Sequence, residues 1–290
     1  MLTLLDVSLL NCCTYSCDYC ISKASFCTSV NHAMPDGTLR AIYSTNGMTL
    51  KPFPLINFIM NHFLPDECIV QLSGGEPLLH DSFPFIAREL IRQGYQLVIN
   101  SNGNQINHCS KSYDVNFCLG GNCKVPKWRI SWHTQFRDYD SLMKDIHELD
   151  YKNVLINYVA HPKKIESKEI LKDIDTLQCE GNKRLLNFEI TPFQGKWNDK
   201  DYDKNSEIYV PYITALKPET KTPGIPINYL SIQPNGDIMR CHRVNVGNIY
   251  ENKLRERYNT HQSICKYEQN GNTNCGLVQS LYLLGLEPYK

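Results

Sequence analysis

The sequence predicts an α/β fold built on a parallel sheet, and three observations predict it. Strand-like and helix-like segments alternate over about 190 residues, the pattern of βαβ units with right-handed crossovers. Two of the strand-like segments end in short polar, glycine-bearing turns, Gly74-Gly75-Glu76-Pro77 and Ser101-Asn102-Gly103. The composition is globular, with 42% hydrophobic and 21% charged residues and no low-complexity tract.

Residues 2–10 read as a buried strand, and a cysteine cluster follows at once. A mixed polar stretch with Pro35, Gly37 and Gly47 leads to an apolar segment at 53–64 that suits a helix. Glu67–Ser73 is the second strand. In 82–93, Phe83, Ile86, Leu90 and Ile91 fall on one helical face. Tyr95–Asn100 is the third strand. The segment 104–126 holds Cys109, Cys118 and Cys123 without a helical period, and reads as a loop with no metal. Trp128–Trp132 is the fourth strand, 139–150 a helix, Val154–Ala160 the fifth strand, 165–177 a helix and Leu186–Thr191 the sixth strand. Beyond Pro192 the pattern gives way to loops rich in Pro, Asn, Asp and Lys. A hairpin follows, Tyr229–Gln233 and Asp237–Cys241 around Pro234-Asn235-Gly236. The boundary therefore falls near 192, with a core over 1–192 and an irregular, cysteine-bearing module over 193–290.

Thirty basic residues balance thirty acidic ones. Nothing in that balance predicts a polyanion-binding surface, so nucleic acid is not indicated. The N-terminus has no basic region, Asp6 interrupts its apolar run, and no stretch approaches the roughly 18 apolar residues that span a bilayer. The chain reads as cytoplasmic, with no membrane partner. Thirteen cysteines in such a chain point to metal ligation or redox chemistry rather than to disulfides.

Cys13, Cys17 and Cys20 lie within eight residues. Soft thiolates select iron–sulfur, zinc or copper(I). Structural zinc closes with four ligands in two separated pairs, whereas three thiolates on one loop leave an iron position open. The bland alternative is a set of buried thiols. Farther on, Gly74 and Gly75 let the backbone approach a ligand, Glu76 offers a carboxylate to a cation, and Pro77 stiffens the turn. Taken alone, that tetrapeptide would be a plain turn.

Together these residues resemble the radical S-adenosylmethionine superfamily, whose signature C-x-x-x-C-x-x-C follows the first strand. The resemblance covers about 3–192 and implies a partial (β/α)6 TIM-type barrel. It implies that Cys13, Cys17 and Cys20 hold a 4Fe–4S cluster, that Tyr19 packs near the adenine, and that Gly74, Gly75, Glu76 and Pro77 contact the methionine end of S-adenosylmethionine. At strand ends, where such barrels place ligands, Asn102, Ser131 and His133 are the matching polar residues. The strand Val154–Ala160 lacks the glycine-rich adenine motif of some relatives.

Gly236 to Cys241, followed by Gly247-Asn248-Ile249, resembles the SPASM/twitch extension, which carries auxiliary iron–sulfur clusters. The cysteine that family places before this glycine is missing, since 221–226 reads Lys-Thr-Pro-Gly-Ile-Pro. Cys241, Cys265 and Cys275 are the candidate ligands of a second cluster, with Cys179 or Cys123 as a fourth. The alternatives are three free thiols, or zinc completed by His242 or His261.

The resemblance implies an oxidoreductase-type enzyme. An external one-electron reductant of flavodoxin or ferredoxin type drives cleavage of S-adenosylmethionine to a 5′-deoxyadenosyl radical, which abstracts hydrogen from a substrate. A peptide or protein side chain leads as substrate, a small metabolite or nucleotide-linked molecule is second, and a non-catalytic iron–sulfur carrier is the non-enzyme rival. No peptide-recognition domain precedes residue 3, so a leader-dependent enzyme is expected to use a separate partner.

Overall fold

The computed structural model describes residues 2–17, 20, 25–26, 29–33, 39–43, 48–106, 126–147, 149–184, 186–193, 195–202, 206–209, 212, 228–240 and 244–254. A ten-stranded sheet organises them. Its strands are β1 (Thr3–Ser8), β6 (Cys68–Ser73), β7 (Gln96–Ser101), β8 (Lys127–Trp132), β9 (Val154–Ala160), β10 (Asn187–Pro192), β13 (Asn228–Ile232), β14 (Asp237–Arg240), β15 (Val244–Asn248) and β16 (Lys253–Leu254). The order is β10-β9-β8-β7-β6-β1-β13-β14-β15-β16. The six strands read from the sequence are parallel and lie side by side in chain order. The fold is mixed α/β with a large parallel sheet, as the alternation predicts.

One face of the sheet is a hydrophobic core. Leu5, Val7, Val70, Leu72, Leu97, Ile99, Ile130 and Ile156 belong to one cluster with Leu55, Phe58 and Ile59 of α1 (Pro52–His62) and Ile86 and Leu90 of α2 (Phe83–Arg92). Both helices begin with Pro in the first turn, where the missing N–H costs nothing. Side chains alternate along a strand, so the other face carries Asp6, Gln71, Ser73, Asn100, Arg129, Ser131, Asn157, Glu189, Thr191, Tyr229 and Ser231. Registers such as Asp6 with Gln71, Asp6 with Ser231, and Ser131 with Asn157 align this polar face across the sheet. Leu4, Ile69, Val98 and Leu155, toward the N-terminal ends of their strands, are buried on that same face.

Three expectations need correction. The helix read over 139–150 is α3 (Tyr139–Ile146), started by Asp138, whose carboxylate accepts from the Ser141 N–H at 2.8 Å. The helix read over 165–177 is two: α4 (Pro162–Glu166) and α5 (Glu169–Arg184). They are separated at Lys168, whose φ of 60° is left-handed and ends a helical run. The polar stretch before α1 holds the short pairs β2 (Cys12–Cys13) with β3 (Ser25–Phe26), and β4 (Ser29–Ala33) with β5 (Leu39–Tyr43). A further hairpin, β11 (Gly195–Trp197) with β12 (Lys200–Tyr202), follows β10.

The C-terminal hairpin forms as read, β13 antiparallel to β14, and Gly236 takes the left-handed φ of 88° at its turn. Its first strand also pairs in parallel with β1, so the sheet runs on through it. The turn after β15 rests on α1: the Tyr250 phenol oxygen accepts from the Lys51 N–H at 3.4 Å, and the His62 ring meets the Asn252 carbonyl at 3.2 Å. No helix among the described residues is long and apolar enough to cross a membrane.

Candidate functional site

The cysteine loop leaves β1 and is bound back to the end of β6 by main-chain contacts. Gly75 N–H donates to the Leu10 carbonyl at 2.9 Å, and Glu76 N–H to the Cys12 carbonyl at 2.8 Å. This is why two glycines stand there. A Cβ on Gly74 would lie 2.5 Å from the Leu10 oxygen, and one on Gly75 would lie 2.0 Å from the Cys12 oxygen. Gly74 also has a φ of 130°. The close approach read as serving a ligand is made, at these Cβ positions, by the backbone of the cysteine loop itself.

Glu76 is completely buried. Its carboxylate accepts from Leu78 N–H at 3.2 Å, Ser101 Oγ at 2.8 Å and Asn102 N–H at 2.7 Å. An ionised carboxylate has about four lone-pair sites, so one stays open to a further donor. Burial pushes Glu76 up to about 7, and the three hydrogen bonds and the Arg137 charge pull against it. Pro77 opens the short 3-10 turn that Glu76 caps.

Asn102 is the hub of the site. Its N–H goes to Glu76, and its Nδ2 lies 3.6 Å from the Cys13 sulfur and 3.1 Å from Thr14 Oγ1. Its carbonyl accepts from the Arg137 guanidinium. Arg137 is buried, ion-paired with Asp145 at 3.0 Å, and lies over Gly103, whose φ of 78° and missing Cβ leave room for it. Arg137 and Asp145 carry no signal in the sequence, since a lone Arg in a loop belongs to no motif.

Cys13, Cys17, Cys20, Cys68 and Cys179 are outside any disulfide. Burial, and next the Glu76 charge, push Cys13 up to about 11. Cys17 lies 3.8 Å from His133 Nδ1. His133 is held near 4 by burial and the Arg137 charge, so its ring is neutral. The Tyr15 ring meets His133 edge-on at 5.8 Å and stacks on Phe136 at 4.5 Å, walling the loop with aromatic groups. Cys12 is in a disulfide, so the thiols of this chain are not all reduced. The structure thus brings Cys13, Cys17, Glu76, Asn102 and His133 to one end of the sheet. Ser131 lies lower on the polar face, in register with Asn157. Tyr19, Cys241, Cys265 and Cys275 lie outside the described residues, as do Cys27, Cys109, Cys118, Cys123, His242 and His261.

No three His, Cys, Asp or Glu side chains among the described residues converge on one metal position. The donor set still fits an iron–sulfur group in kind. Three cysteines outside any disulfide share one loop, and Asn102 offers a hydrogen bond to the sulfur of Cys13. The strand ends fit a polar ligand as well, since Asn100 Oδ1 and Thr134 Oγ1 are buried without a partner among the described residues.

No family model matches the chain, and neither does any curated protein. Solved structures do. Streptococcus suis SuiB matches at a TM-score of 0.54 and 13% identity, over 86% of this chain and 64% of that one. SuiB bound to S-adenosylmethionine matches at 0.55 and 14%, over 96% and 72%. SuiB bound to its precursor peptide SuiA matches at 0.50 and 11%, over 96% and 70%. The chain spans between 64% and 72% of the length of these SuiB chains. At such identities the likeness is one of fold, and the fold is that of SuiB.

Proposed function

We propose that this chain is a radical S-adenosylmethionine enzyme acting on a peptide. The observation that carries the reading is Asn102, which hydrogen-bonds the sulfur of Cys13 with its side chain and the carboxylate of Glu76 with its N–H. One residue thus ties a cysteine of the signature to the carboxylate meant for the cofactor's ammonium. SuiB, which shares the fold, has been seen with both S-adenosylmethionine and a precursor peptide; that favours a peptide substrate.

In this proposal Cys13, Cys17 and Cys20 hold the cluster, which when bound supplies the electron that cleaves S-adenosylmethionine. Glu76 takes the cofactor's ammonium on its open lone pair, and Tyr19, His133 and Ser131 line the remainder of the pocket. The protein orients the reacting groups and keeps water out, because the cofactor carries the difficult chemistry. The six parallel strands form a partial barrel. Residues 193–290 form a twitch-like module in which Cys241, Cys265 and Cys275 hold a second cluster. A flavodoxin- or ferredoxin-type protein delivers the electron. The test is anaerobic reconstitution: reduced protein should convert S-adenosylmethionine to 5′-deoxyadenosine and bind more iron than one cluster accounts for. A reconstituted protein without cleavage defeats the enzyme reading, and one cluster per chain defeats the second site.

Glu76 gives this reading a pH signature. A carboxyl raised to about 7 is protonated below that value, and the protonated form cannot neutralise an ammonium. Affinity for S-adenosylmethionine is expected to be level above about pH 7 and to fall by up to about tenfold per pH unit below it. In the ligand-free protein the same shift lowers stability as pH rises from the ordinary carboxylate range toward 7, because the buried anion is the disfavoured form. Glu76→Gln should bind weakly at every pH. Calorimetric titration of both proteins across this range decides it, and a pH slope that survives in the variant removes Glu76 from the site.

A further inference from the structure

Among the described residues, the polar face holds one carboxylate with no opposite charge beside it. Asp6 stands on β1, between β6 and β13, with Oδ1 accepting from Gln71 Nε2 at 3.0 Å and Ser73 Oγ at 2.5 Å, and Oδ2 accepting from the Tyr229 phenol at 2.9 Å. All three donors are neutral. No Lys, Arg or His among the described residues forms an ion pair with it; Arg129, the cation of this face on β8, is engaged by Glu189 at 2.8 Å. Asp6 is half-buried, and a carboxylate whose donors are all neutral is a ready partner for a charge-assisted hydrogen bond from a cation.

Its position gives that charge a use. Ser73, which donates to Asp6, immediately precedes Gly74-Gly75-Glu76, and Ser8, two residues up β1, is the residue whose Oγ would lie 3.2 Å from a Cβ on Gly74. Two residues along a strand are about 7 Å. Asp6 therefore sits one layer beneath the turn that carries Glu76, facing the polar side of the sheet. Below it the face is closed by buried Leu4 and Ile69.

We propose that Asp6 is the anchor for a cationic group of the substrate, a primary ammonium or guanidinium, and so sets substrate choice. The cation docks on the carboxylate edge left open between its three donors, and the carbon chain behind it extends up toward the cysteine loop. Tyr229, delivered by β13, fixes the outer oxygen, so the C-terminal hairpin shapes the pocket floor. This inference rests on the proposed function for the placement of the cofactor, but not for the preference for positive charge.

The test uses reconstituted full-length protein with S-adenosylmethionine present, and a matched set of capped tripeptides carrying Lys, Arg, norleucine or Glu at the centre, with n-butylamine as the free amine. Binding is read by ligand-observed NMR. The Lys or Arg peptide should bind about tenfold or more tightly than its norleucine counterpart, the scale of one charge-assisted contact. In Asp6→Asn that ratio should fall to about one while norleucine binding is unchanged. Tyr229→Phe keeps the carboxylate and should keep the preference, which guards against a variant that merely misfolds. Butylamine matching the Lys peptide assigns the site to small amines; weaker binding assigns it to a peptide side chain. Equal binding of all peptides, no binding by any, or a preference that survives Asp6→Asn overturns the proposal. Wild-type protein that binds S-adenosylmethionine without a charge preference removes this inference alone; failure to bind S-adenosylmethionine removes the functional reading instead.

Discussion

Changing Cys13, Cys17 and Cys20 together to alanine is expected to abolish 5′-deoxyadenosine formation. Iron content should fall by one cluster, and the absorption that remains should be that of the second site proposed at Cys241, Cys265 and Cys275. Folding should survive: Cys17 and Cys20 are only half-buried, and alanine leaves little space behind at Cys13. Cys68→Ala is the control. That thiol is free and buried in β6, pushed up to about 12 by burial, and plays no part in the proposed cluster. It should keep both iron and turnover. Deoxyadenosine production that persists in the triple variant would falsify the assignment of the cluster to this loop.

The second large effect is expected at Gly75. Its Cβ would meet the Cys12 oxygen at 2.0 Å, the carbonyl carbon at 2.4 Å and the nitrogen at 2.7 Å. All three are backbone atoms, so no side chain can swing aside. Gly75→Ala must push the cysteine loop off the end of β6, breaking the bond from Glu76 N–H to Cys12. Overpacking of this kind costs about 1–3 kcal/mol, and here the strain falls on the residue beside a proposed ligand. Iron uptake should drop to a small fraction of wild type. Gly94→Ala provides the comparison: its neighbour Pro65 is 3.6 Å away, and only a left-handed φ of 90° resists the change. It should lose about 1 kcal/mol and no iron. Full cluster assembly in Gly75→Ala would mean that the loop is not held as described.

The sequence made the six-strand order legible because each strand is a short apolar run bounded by a polar turn, and the helices between have their own period. It could not show where one helix becomes two, since the left-handed Lys168 is an ordinary residue in composition. The short pairs before α1 were hidden because strands of two to five residues leave too little alternation to see. At the site the motif residues were legible by type and spacing. Their joinery was not: Arg137 reaches Asn102 across 35 positions, and Tyr229 reaches Asp6 across 223. Asp6 did leave a trace, as the one carboxylate within an otherwise apolar first strand.

The parallel pairing of β13 with β1 has a consequence for how the molecule is made. Thr3 to Val7 leave the ribosome well before their partners Asn228 to Ile232. One edge of β1 must therefore wait with its N–H and C=O groups unpaired while the residues between β1 and β13 are synthesised. Such an edge invites pairing with the wrong strand, and closing so wide a loop is slow. The turn at Ile249–Glu251, which rests on α1 in the finished fold, arrives later still. The middle of this sheet is thus completed only after β13 has been made, long after β1.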